Sequence, residues 1–190
     1  MEVPTAAKSV RIPLTANAPI IYNNGAVCND LIIVNGSLTI EKGLSAPALK
    51  VEGSVDVQDG GVFAIEDDAV VDVYGDWNIA TRGYFVPQNG TVRFKAAGGS
   101  VTIAPHKSDF NNVSFDGAAT FMLSGSSVNF NGNVDINQGT LWPSTASYVY
   151  SVKGNYTIAA GGAFNNVETG FIKFDGVNQT ITNGKFSRVR

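Results

Sequence analysis

Across 190 residues the chain has a single cysteine, Cys28, and a single histidine, His106. One thiol excludes an internal disulfide and a multi-cysteine zinc site, and one imidazole removes most histidine-based metal and triad chemistry. Charge is scarce as well. Asp, Glu, Lys and Arg make up 15% of the residues, against roughly 25% in an ordinary globular chain. A formal net charge of −3 supplies no basic field, which sets nucleic acid aside as a partner. No run of about 18 apolar residues occurs, so no direct membrane insertion as a helix is expected. Sustained 3.6-residue periodicity is also missing, because Gly, Asn or Pro interrupts every long segment, and helix content should be near zero. What is abundant is glycine, at 21 positions, within a composition 44% apolar and 10% aromatic. That suits one packed domain and not a disordered chain.

The apolar residues fall in a recurring unit: two in alternation, a glycine-centred break, then two more. Clear copies are Ile32 to Ile40, Leu49 to Val57, Val71 to Ile79, Val128 to Ile136 and Tyr150 to Ile158. Looser copies, with insertions at the break, run Val92 to Ile103, Val113 to Leu123 and Ile172 to Ile181. The breaks lie near 36, 53, 75, 98, 117, 132, 154 and 176, a spacing of roughly 15 to 23 residues that fits one solenoid coil with corners of variable length. Aligned on the break, the last apolar position reads Ile40, Val57, Ile79, Ile103, Leu123, Ile136, Ile158 and Ile181. The position before the break reads Val34, Val51, Val73, Phe94, Phe115, Phe130, Val152 and Phe174. The residues between are polar: Lys50, Asp72, Arg93, Ser114, Asn129, Ser151 and Lys173 on one strand, mostly Thr, Asn and Asp on the other. Period-2 alternation with β-branched and aromatic residues inward is the pattern of a half-buried strand.

Matched positions recurring at coil length predict an all-β fold, a single-domain parallel β-solenoid of about eight coils, right-handed by the usual crossover preference. An antiparallel β-sandwich is the alternative, since Asn-Gly at a break also reads as a hairpin turn. Residues 1–26 do not match the repeat and are expected to form an irregular N-terminal coil or cap, with the repeats over 27–190. Phe186-Ser187-Arg188-Val189-Arg190 repeats the coil opening Phe110 to Phe115 and stops before its second apolar residue, which predicts a piece of a longer chain whose neighbouring repeats would cover this end.

Val3-Pro4-Thr5, Ser9 to Pro13, Ala26 to Ile33 and Gly36 to Ile40, with Gly90 to Phe94 and Asn178 to Thr182, are similar to repeat regions of large secreted surface proteins of Bacteroidota, the gliding bacteria and their relatives. Many of those are type IX secretion substrates acting as cell-surface adhesins. The resemblance implies secretion, a place at the cell surface and a structural role; such repeats also accompany enzymatic domains elsewhere in a chain.

Candidate chemistry is thin. Cys28 is expected to be a small buried apolar residue and His106 an exposed corner residue. Glu66, Asp67 and Asp68 form the densest acidic cluster and with backbone carbonyls admit Ca²⁺, but they lack the alternating spacing of a dedicated calcium loop; no other cofactor is expected. The Thr positions 39, 102, 157 and 180 are interrupted by Asp56, Asn78, Met122 and Asp135, which breaks the regular rank an ice-binding face requires. No adjacent-coil pair of carboxylates with the separation of about 5 to 10 Å used in glycoside hydrolysis stands out, so no catalytic residue is assigned and no enzyme is expected. Trp142, Tyr148 and Tyr84 are the aromatics placed to stack on sugar rings, surface glycans being the partner that would imply. These readings lead to a non-enzymatic structural or adhesive module of a secreted cell-surface protein, with a carbohydrate-binding or polysaccharide-active β-helix as the alternative.

Overall fold

The computed structural model describes residues 5–41, 43, 46–143, 148–165 and 171–183. Among them every element is a strand and every pairing between strands is parallel, which excludes the sandwich. Alternating apolar residues give short strands, and each run ends where glycine or a small polar residue turns the chain. The first coil is β1 (Val10–Ile12), β2 (Ile20–Ile21) and β3 (Ala26–Cys28), and the second is β4 (Leu31–Ile33), β5 (Ser37–Ile40) and β6 (Pro47–Val51). Then come β7 (Val55–Val57), β8 (Val62–Ile65) and β9 (Val70–Val73), followed by β10 (Trp77–Ile79), β11 (Tyr84–Val86) and β12 (Thr91–Phe94). The fifth coil has β13 (Ser100–Ala104) and β14 (Asn112–Phe115), and the sixth has β15 (Thr120–Leu123), β16 (Val128–Phe130) and the start of β17 (Val134–Pro143). β18 (Val149–Val152), β19 (Tyr156–Phe164), β20 (Phe171–Phe174) and β21 (Ile181–Thr182) complete the stack.

Three flat faces result, so the solenoid is triangular in section, with about seven full turns and an eighth pass begun at the end of β19. The first face carries β1, β4, β7, β10, β13, β15 and the later halves of β17 and β19. The second carries β2, β5, β8 and β11, then β16, β18 and β20, with a single bridge from Phe110 to Phe130 between the two groups. The third carries β3, β6, β9, β12, β14, the first halves of β17 and β19, and β21. β17 rounds the corner from third to first face without a break. It does so at Gly139, whose φ of +71° favours glycine and where a Cβ would strike the carbonyls of Gly117 and Ala119.

The single columns read from the sequence divide among these faces. Val51, Val73, Phe94 and Phe115 are one ladder on the third face, extended by Cys28 before and by Ile136 and Ile158 after. Phe130, Val152 and Phe174 are a different ladder, on the second face. Val57 and Ile79 pair on the first face, whereas Ile103 pairs with Trp77. The boundary drawn at residue 26 falls inside β3: Val10 pairs with Leu31, Ile20 with Thr39 and Ala26 with Leu49, so 10–28 is a coil in register with the rest. Its long corners break the spacing that the later coils share. The coil opening at Phe186 lies outside the described residues.

The interior is one apolar column. Its middle is aromatic: Phe94 stacks on Phe115 at 5.6 Å and Phe110 on Phe130 at 6.0 Å, while Trp77 meets Phe85 edge-on at 4.7 Å. Offset and edge-on rings of this kind add about 0.5–1.5 kcal/mol per pair beyond their burial.

Candidate functional surface

Corners come first, because they occupy many of the polar side chains. Where the second face turns into the third, Asp67 Oδ1 accepts hydrogen bonds from the backbone N–H and the side-chain amide of Asn89. Asn112 Nδ2 donates to the Asn89 carbonyl, and Asn112 Oδ1 accepts from Asn133 N–H at 2.9 Å. Asn133 Oδ1 then accepts from Asn155 N–H, and Asn155 Oδ1 from Thr180 N–H, both at 2.9 Å. From third to first face a second ladder runs Asp30, Ser54, Asp76 and Thr102. The Ser54 N–H, then the Ser9 hydroxyl, hold the Asp30 carboxyl below the usual carboxylate range. Each corner side chain thus satisfies a backbone N–H of the next coil that the sheets leave unpaired. The sequence carries this signal in the small polar residue after four of the break glycines, at Ser54, Asp76, Asn133 and Asn155, which apolar spacing by itself does not register.

The acidic cluster is therefore partly engaged. Asp67 is spent on Asn89, and Asp68 sits exposed at a φ of +64°. Among the described residues no group of three or more His, Cys, Asp or Glu is placed to hold a metal ion. Cys28 lies buried at the head of the third-face ladder, and burial, then the charge of Asp30, pushes its thiol up to about 11. A reactive thiol needs the opposite shift. His106 Nε2 shares a 3.0 Å hydrogen bond with Thr81 Oγ1 on the corner between first and second faces. A hydroxyl nucleophile needs its base oriented by a third group, but the nearby Asp59 carboxylate is held by the Arg82 guanidinium at 3.0 and 3.2 Å.

The third face is the charged one. Asp72 is 4% exposed, gripped by Arg93 Nε at 2.6 Å with Lys95 Nζ at 3.8 Å. Hydrogen bonding to Asp72 raises the Arg93 guanidinium above its ordinary value. One strand away Lys50 pairs with Glu52 at 2.7 Å and lies over the Tyr74 ring at 4.8 Å. Asn137 and Ser114 both donate to Asp116. Asp72 and Asp116 thus find partners in an adjoining coil, and Lys50 its carboxylate within its own.

The second face differs. Its outward rows over the first four coils are Ser37, Val62 and Tyr84, and Ile20, Thr39, Ala64 and Val86, in register. None is charged. Coils spaced about 4.8 Å apart make this a flat strip about 14 Å long. Tyr84 is 61% exposed, Ile20 50% and Val86 41%. Such a strip can make face-on apolar and ring contacts, and its Ser, Thr and Tyr hydroxyls can exchange hydrogen bonds.

The three aromatics singled out in the sequence do not converge. Tyr84 stands on this strip. Trp142 is half-buried on the first face beside Met122, with its Nε1–H enclosed and without an acceptor among the described residues. Tyr148 is half-buried against the core. Of these three, Tyr84 alone offers an open ring. Searches against family models, curated proteins and solved structures find no match to this chain.

Proposed function

We propose that the chain is a non-enzymatic structural and adhesive module of a larger secreted bacterial cell-surface protein. The observation that supports this reading best is the uncharged strip on the second face, a flat surface on a rod whose third face carries paired charges. Asp72 with Arg93, and the corner side chains Asp30, Ser54, Asp76, Asn112, Asn133 and Asn155, hold coil to coil, which suits a spacer that carries a contact surface. Secretion, the cell surface and a type IX export route come from the sequence resemblance alone.

The exposed ring of Tyr84 on a flat, uncharged sheet favours a second reading, a carbohydrate-binding β-helix, because sugar rings stack on open aromatic faces. A glycan array separates the two. The adhesive-spacer reading expects no glycan to be retained above background. Specific retention of a neutral glycan, lost in Tyr84→Ala while Trp142→Ala retains it, moves the assignment to carbohydrate binding. Retention lost in Trp142→Ala instead rejects the strip as the site.

A further inference from the structure

The row just beyond one edge of the second-face strip is acidic. Glu41 N–H donates to the Ile21 carbonyl and Glu66 N–H to the Ile40 carbonyl, so both continue the ladder one residue past β5 and β8. Alternation turns them outward with Thr39 and Ala64, one coil apart, and sets Tyr22, 68% exposed, in the same row one coil earlier. Asp68 stands exposed on the turn that follows Glu66. Two carboxylates on neighbouring coils about 4.8 Å apart repel each other, and a cation laid over them relieves both. The opposite edge carries a matched pair, Arg82 on Asp59. A net charge of −3 favours a cationic partner as well.

The face is small. Three outward rows two residues apart, over four coils, span about 13 by 14 Å. A stable contact between folded proteins buries roughly 800 Å² per partner, several times that area. An extended segment fits instead. Laid along the strands, its alternate side chains recur at the same two-residue spacing as the rows. Successive ones then meet the Tyr84 row, the Val86 row and the glutamate row.

We propose that the strip takes an extended basic peptide segment of a partner protein. Two alternate apolar residues lie over Val62 with Tyr84 and over Ala64 with Val86, and the next, an arginine or lysine, lies over Glu41 and Glu66. An arginine there can also stack its planar guanidinium on the open Tyr22 ring. This partner chemistry rests on the adhesive reading of the strip and deepens it.

Amide chemical shifts of the isotope-labelled full chain provide the test, in a titration with a short peptide of alternating valine and serine. The peptide carries one arginine two residues after its last valine. Shifts are expected to move at 20–22, 37–41, 62–66 and 84–86, and affinity to fall as salt screens the ion pairs. Glu41→Gln with Glu66→Gln should weaken binding roughly two- to fivefold and remove the salt dependence. Tyr84→Ala should weaken it with the salt dependence kept. The same peptide with glutamate in place of arginine should bind more weakly than the original. Amide dispersion shows that each variant is folded. Equal affinity for the two peptides overturns the basic partner while the strip stands as a contact surface. No movement with either peptide overturns the basic partner too, and movement confined to another face overturns both it and the adhesive reading of the strip.

Discussion

At the scale of single residues, the polar-out, apolar-in alternation was legible because period 2 is a local property of strands. Which polar residue matters was not. Asp72 and Arg93 appear in the sequence as two of several polar positions, and only pairing of β9 with β12 sets them side by side. Removing Arg93 leaves a buried carboxylate with Lys95 alone at 3.8 Å. Arg93→Met should therefore cost ~1–3 kcal/mol in urea unfolding, and Arg93→Lys less. Alkaline pH is a second lever. Burial raises the Cys28 thiol from 9.0 to about 11 and, with Tyr148 adding to it, the Tyr150 hydroxyl from 10.0 to about 12; burial lifts Tyr156 further still. The fold holds all three protonated, so above pH about 9 the unfolded chain loses protons first and stability falls as pH rises. The urea midpoint should drop between about pH 8 and about pH 11, and Cys28→Val should flatten the thiol's share of that drop while leaving the tyrosine share.

Among elements, the glycine breaks were found correctly but assigned to one column. Gly53 and Gly75 stack at the corner between third and first faces, Gly132 and Gly154 at the corner between second and third. Both corners use the same chemistry at these positions, a glycine that lets coils touch backbone to backbone and a small polar residue, Ser54 or Asn133, that bonds across. A local motif cannot tell one corner from another. Space separates the glycines by consequence. A Cβ on Gly154 would collide with the Gly132 backbone, whereas one on Gly98 would meet nothing within 4 Å. Gly154→Ala should lower the melting temperature markedly, by a loss of ~2 kcal/mol or more, and Gly98→Ala should leave it within about a degree or raise it.

For the whole molecule, stability should behave as a sum of coils and coil-to-coil interfaces. Excising residues 55–76, from the start of β7 to just before β10, joins Ser54 to Trp77, which already occupies the ladder position of Val55. The shortened chain should keep its circular dichroism per residue and lose only a few degrees of melting temperature. Global unfolding would count against the solenoid as a modular rod. The amino-acid order alone determined the all-β class, the coil length and the inward and outward sides of each strand, since these follow from alternation and turn chemistry over a few residues. Only the tertiary structure decided the three-sided section, the face to which each strand belongs, the burial of Asp72 and the separation of Tyr84 from Trp142. Those depend on which coil lies over which, and corner lengths that vary from turn to turn erase that register from the linear chain.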